Sequence, residues 1–126
     1  MLVSLSLNST GLRGLPDSVG QLTSLVSLSL NDTCLRRLPD SVGQLTALQA
    51  LSLNNISLTA LPESIGQLGR LQSLALNGCS ALEALPNSVG ALSTLRELHL
   101  ERSGVLVLSD GIRAALESHG CVVKSA

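Results

Sequence analysis

Two histidines and three cysteines are the side chains of this 126-residue chain best suited to chemistry: His99, His119, Cys34, Cys79 and Cys121. A thiol nucleophile needs a histidine beside an accessible cysteine. His99 falls at an outward position of the alternating stretch "LRELHL". His119 falls at the end of a helical stretch, where positive charge suits the helix dipole. Cys79 occupies a small position of a recurring pattern and reads as a packed, inert thiol. Cys121 opens "CVVKS", which reads as a last strand. The cysteines lack metal-ligand spacing, and no phosphate loop or paired-carboxylate site stands out. The glycines of "GLRGLP" belong to the recurring pattern and are no nucleotide motif. The reading is a non-enzymatic chain without cofactor or metal.

Whatever the chain binds must be held by elements that the sequence spells repeatedly. "LPDSVGQL" stands at 15–22 and again at 38–45, followed by "LPESIGQL" at 61–68 and "LPNSVGAL" at 85–92. Each octapeptide belongs to a longer unit that opens on "LxxLxL". The units run over 2–24, 25–47, 48–70, 71–94 and 95–116, with a period of 23 residues and one extra residue near Ser80–Ala81. The whole chain, 1–126, reads as one domain with a carboxyl-terminal cap over 109–126.

Within "LxSLSLN" apolar and polar residues alternate, the period of a strand with one buried face. A single unit cannot bury its leucine row; stacked units can. Leu5, Leu7, Leu28, Leu30, Leu51, Leu53, Leu74, Leu76, Leu98 and Leu100 are expected to form two inward ladders. Leu12, Leu15, Leu22 and their equivalents are expected to fill in from the return path. In the octapeptide, Pro16, Pro39, Pro62 and Pro86 end an extended piece. The Asp/Glu/Asn–Ser pair suits the start of a helical turn. Val or Ile points inward. Gly20, Gly43, Gly66 and Gly90 are read as positive-φ residues that let the chain leave the turn. Asn8, Asn31, Asn54 and Asn77 form a column whose carboxamides can bond neighbouring backbone.

These units resemble the leucine-rich repeat family, whose core reads "LxxLxLxxNxL". The octapeptide variant is similar to repeats of plant intracellular proteins, Ras-associated scaffolds, plant immune receptors and bacterial effectors. One departure is that Asn follows the third Leu directly. The resemblance implies an α/β solenoid. A parallel β-sheet lies on its concave face, short helical or 3-10 turns on its convex face, and a helix caps its carboxyl end. It also implies protein binding on the concave strand face.

Ser109 is expected to cap a helix over 110–118, with Ile112, Ala115 and Leu116 as its apolar stripe and Gly120 closing it. At the other end Leu2, Leu5 and Leu7 form an uncovered edge suited to self-association.

Composition narrows the partner. Net charge is −1 with 8 basic and 9 acidic residues, so nucleic acid is not expected. No apolar run reaches the roughly 20 residues of a membrane span. The start "MLVSLSLNST" lacks a basic, apolar export signal. With an odd cysteine count, this reads as a reduced, cytoplasmic chain, delivered into a host cell if it comes from a bacterial effector. There is no Phe, Trp or Tyr, so binding works without the commonest anchors.

The outward strand rows are Ser4 and Ser6, Ser27 and Ser29, Ala50 and Ser52, Ser73 and Ala75, then Glu97 and His99. Chemical variety gathers at Arg96, Glu97, His99, Glu101 and Arg102, the end expected to carry binding. Arg13, Arg36 and Arg37 make a second patch. The leading reading is a protein-interaction module of a receptor, signalling scaffold or effector. The alternatives are a self-associating structural repeat that pairs as a homodimer through its Leu2–Leu5–Leu7 edge, or a flat Ser-rich face for ice or polysaccharide.

Overall fold

A computed structural model describes residues 2–105 and 108–125. Each LxxLxL segment forms a three-residue strand: β1 Ser4–Ser6, β2 Ser27–Ser29, β3 Ala50–Ser52, β4 Ser73–Ala75 and β5 Glu97–His99. "CVVKS" supplies β6, Val122–Lys124. All six pair in parallel, in chain order. Leu5, Leu28, Leu51, Leu74, Leu98 and Val123 lie in register as one inward ladder. Parallel neighbours need a long crossover connection, and the rest of each unit supplies it.

The octapeptides form 3-10 turns at Asp17–Gln21, Asp40–Gln44, Glu63–Gln67 and Asn87–Ala91. Each follows a proline held at φ near −70°, as at Pro16 and Pro39. Val19, Val42, Ile65 and Val89 point inward and are buried. The turns stack on one another as the strands do, so the molecule is a solenoid with a sheet on one face and turns on the other. Between them lies an aliphatic core of leucines, in which Leu25, Leu48, Leu71 and Leu95 are fully enclosed. Leu12, Leu15 and Leu22 are only partly buried, whereas Leu35, Leu38 and Leu45 of the next unit are fully or nearly fully buried. Leu35, Leu38 and Leu45 are covered by a coil on either side; among the described residues the first coil is covered by the second alone.

Two details of the turn differ from the sequence reading. Gly20, Gly43, Gly66 and Gly90 do not take positive φ. They sit inside the 3-10 turns, and the neighbouring turn dictates the type of Gly20, Gly43 and Gly66, while Gly90 faces Ala115. A Cβ on Gly43 would lie 2.7 Å from the Ser64 carbonyl oxygen and 2.8 Å from the Ser64 Cβ. Gly20 meets Ser41 and Gly66 meets Ser88 in the same way. Nor do the Asp–Ser pairs cap the turns. The cap position is the proline, with no side-chain hydrogen bond. The Ser41, Ser64 and Ser88 hydroxyl oxygens are buried without a hydrogen-bond partner. Serine here is the small residue that seats against the glycine of the preceding coil.

The carboxyl end matches its reading. The α1 helix runs over Asp110–Ser118, and the Ser109 hydroxyl accepts the Ile112 N–H at 3.3 Å. Ile112 and Leu116 are buried while Ala115 is half-buried, and α1 packs on the Asn87–Ala91 turn. Gly120, at φ +78°, turns the chain toward β6. Cys121 is buried just before β6 rather than within it. The extra residue of unit four is taken up in a turn where the Leu82 N–H donates to the Cys79 carbonyl oxygen at 3.1 Å.

Candidate protein-binding surface

The outward side chains of the strands form two parallel rows. One holds Ser4, Ser27, Ala50, Ser73, Glu97 and Val122; the other holds Ser6, Ser29, Ser52, Ala75, His99 and Lys124. The sequence reading ended these rows at Glu97 and His99. β6 extends them by Val122, 56% exposed, and Lys124. The alternation of "CVVKS" carries the signal for these two outward positions. Lys124 Nζ lies 3.2 Å from Glu97 Oε1, so Glu97 is an ion-paired group at the carboxyl end of the sheet.

Part of this face is committed to structure. The Asn8 Oδ1 accepts the Asn31 N–H at 2.8 Å, and the Asn31 Oδ1 accepts the Asn54 N–H at 2.7 Å. Asn54 then receives the Asn77 N–H, and Asn77 receives the Glu101 N–H. The asparagine column is thus a ladder that satisfies the backbone donor after each strand. Serine hydroxyls join it: Ser29 donates to the Asn8 Oδ1 and Ser52 to the Asn31 Oδ1, both at 2.7 Å. The Asn31 and Asn54 amide groups donate back to Ser29 and Ser52. Ser29 and Ser52, two of the candidate binding residues, therefore use their hydroxyls inside the ladder. Ser27 and Ser73 lie in the other row, away from it.

Beyond the ladder the chain turns through a left-handed residue in every unit. Ser9, Asp32, Asn55, Gly78 and Arg102 all have φ between 57° and 75°. Small, Asx or glycine residues suit that conformation. Arg102 does not, yet it is held there and exposed. Arg96 is exposed just before β5 and His99 is half-buried on it. Arg96, Glu97, His99 and Arg102 thus gather around one strand. Leu2, 44% exposed, with half-buried Leu5 and Leu7, lies at the opposite edge. Arg13, Arg36 and Arg37 line a groove that lies off the sheet face.

The thiols divide by burial. Cys34 is exposed, while Cys79 and Cys121 are buried. Burial pushes the Cys79 thiol up, and its S–H donates to the Leu53 carbonyl oxygen at 2.9 Å. Burial, then the Glu97 charge, pushes Cys121 up. Both stay protonated at neutral pH, when a nucleophile requires the thiolate. Among the described residues no three His, Cys, Asp or Glu side chains are grouped to hold a metal ion. No helix there is long and apolar enough to cross a membrane.

No protein-family model matches the sequence, and comparison with curated proteins finds no match. Solved structures do match. A leucine-rich repeat protein of Leptospira interrogans superposes over 97% of this chain with a TM-score of 0.87 and 36% identity. The chain is a leucine-rich repeat solenoid. It spans 30% of the Leptospira protein's length. The plant peptide hormone receptor RGFR1, solved in complex with RGF2, matches 98% of the solenoid at 27% identity and TM-score 0.66; 24% of that receptor is covered. The leucine-rich repeat domain of the type III effector XopL matches 98% of it at 19% identity and TM-score 0.59, with 68% of that domain covered. At that identity the effector bears on the fold alone.

The buried thiols make the solenoid sensitive to alkali. Each holds its proton more tightly when folded than when unfolded, so its contribution to stability is complete below the ordinary thiol range, about pH 8.5. It is lost as pH rises through the raised folded values. With no tyrosine and a single lysine in the chain, few other side chains titrate there. Urea midpoints are expected to be level between about pH 7 and 8 and to fall above that range. Cys79→Ala is expected to flatten the fall; an unchanged slope would contradict this assignment.

Proposed function

We propose that the solenoid is a non-enzymatic protein-interaction module that contacts its partner with the carboxyl-terminal end of the sheet face. One observation carries the reading. The face is built of Ser and Ala over four strands and becomes charged only at β5 and β6 and the turn that follows β5. There Arg96, Glu97, His99, Arg102 and Lys124 come together. Arginine is enriched among the side chains that dominate interface energetics. Arg102 is kept in a left-handed backbone where Ser, Asp, Asn or Gly stand in other units, and strained residues of this kind concentrate at ligand contacts. Ser27, Ser29, Ser52 and Ser73 provide the flat flank, and the ladder fixes the Ser29 and Ser52 hydroxyls, which lowers the ordering cost of binding there. The likeness to a receptor solved with a peptide hormone supports a protein or peptide partner. A setting in signalling or host-cell delivery, in a cytoplasm that keeps Cys34 reduced, fits this reading.

The test is affinity capture from lysate with the wild type, the Arg96→Glu/Arg102→Glu variant and a Ser27→Arg control. Captured proteins are expected to be lost with the double variant and kept with the control. Capture that survives the double reversal, with the fold intact, would falsify the assignment of this end.

A second reading rests on exposed Leu2 and on β1 standing at the edge of the sheet among the described residues. Unpaired strand edges template pairing, and two such edges would form a homodimer. Light scattering over a wide concentration range is then expected to show a mass that doubles, and Leu2→Glu to abolish the doubling. A constant monomer mass rejects the pairing. An ice or polysaccharide surface has less behind it, because Ser29 and Ser52 hydroxyls are engaged by the ladder.

A further inference from the structure

Arg13, Arg36 and Arg37 line one open groove of about 950 Å³ with Leu15, Pro39 and Cys34. Asp17 is the one acidic residue lining it. Arg13 and Arg36 hold the same place on neighbouring coils, 23 residues apart. Parallel coils are spaced at roughly 4.8 Å, so two guanidinium stems leave the backbone side by side. The floor beneath them is rigid. The Cys34 N–H donates to the Leu12 carbonyl oxygen and the Thr59 N–H to the Arg36 carbonyl oxygen, both at 2.9 Å.

These cations lack a partner. The ion pairs among the described residues are Arg113–Glu117 and Lys124–Glu97, both at the other end of the solenoid. Like charges one coil apart repel, and an anion placed between them removes that cost. The column turns to Thr59 on the third coil and Glu83 on the fourth, so the positive stretch is confined to the first two. The chain as a whole carries net charge −1, which makes the groove a local reversal of sign.

We infer that this groove binds an extended acidic segment of a partner protein, its carboxylates held by Arg13, Arg36 and Arg37. The surface is separate from the sheet face, and the inference does not rest on the function proposed for that face. The groove reaches from Arg13 on the first coil to Ser57 on the third. Two coil spacings are roughly 10 Å, the length of about three residues of extended chain. Alternate residues of such a chain point the same way. Two acids in that pattern meet the arginine side while the residue between them meets Leu15 or Pro39. Arginine's planar fork suits carboxylates, which it holds through paired N–H donors. Nucleic acid fits less well, since the groove offers three cations and the chain no aromatic ring for base stacking.

Cys34 supplies the reporter. It is the exposed thiol in the groove, while Cys79 and Cys121 are buried. The rate of Cys34 alkylation by N-ethylmaleimide is measured against a short peptide alternating glutamate with alanine, and against its glutamine analogue. The glutamate peptide is expected to slow alkylation in a saturable, salt-sensitive manner, and the glutamine analogue to leave it unchanged. Arg36→Glu should weaken the apparent affinity by about tenfold or more, and Arg36→Lys by less. Circular dichroism checks each fold; if Arg36→Glu does not fold, Arg36→Gln and the two-peptide comparison on the wild type decide. The proposal is overturned if neither peptide protects, if both protect equally, or if Arg36→Glu binds as the wild type does. It is equally overturned if inorganic phosphate, heparin or anionic vesicles protect Cys34 and the peptide does not.

Discussion

The distance between one coil and the next is set separately on the two sides of the solenoid, and the two together fix its curvature. On the sheet side it is set by parallel backbone bonds, such as the Leu30 N–H to the Ser52 carbonyl oxygen at 2.9 Å. On the convex side the described turns share no such backbone bonds, and side-chain size sets the spacing. Glycine on one turn faces serine on the next with no room for a Cβ. If the turns stood farther apart, the sheet would have to curve more sharply or the leucine ladders would open. Close packing tolerates neither cheaply. The octapeptide therefore repeats because each turn is the wall against which the next one packs.

The same spacing makes the sheet face what it is. With strands in strict register, each asparagine carboxamide meets the backbone N–H of the following coil, and Ser29 and Ser52 are drawn into the same network. The ladder leaves little chemistry on the middle of the face. It stops at Glu101, which has no carboxamide to continue it. There β6 sets Lys124 beside His99 in register, and its ammonium reaches diagonally to pair with Glu97. Architecture and recognition thus occupy different coils of one array.

Most of the fold was legible in the sequence because each feature recurs. Alternating leucines gave the strands, and Ser109, Ile112, Leu116 and Gly120 gave the cap helix and its end. What was misread depends on contacts between coils rather than within one. A glycine after a helical turn suggests a left-handed exit, whereas Gly43 is required by a serine 21 residues later. The left-handed positions fell instead on Ser9, Asp32, Asn55, Gly78 and Arg102, each the second residue after the last leucine of its strand segment. Of the surface, the serine rows were legible. Their use by the asparagine ladder and the pairing of Glu97 with Lys124 were not, since both need two coils side by side.

The most direct test of the spacing constraint compares two glycine-to-alanine substitutions by urea unfolding. Gly43 faces the next turn, and Gly69 faces open space without positive φ. Gly43→Ala is expected to cost about 1–3 kcal/mol. Gly69→Ala is expected to leave stability unchanged or raise it by up to about 1 kcal/mol through the unfolded chain. Equal effects at the two positions would contradict the account, because the convex turns would then be free to move apart.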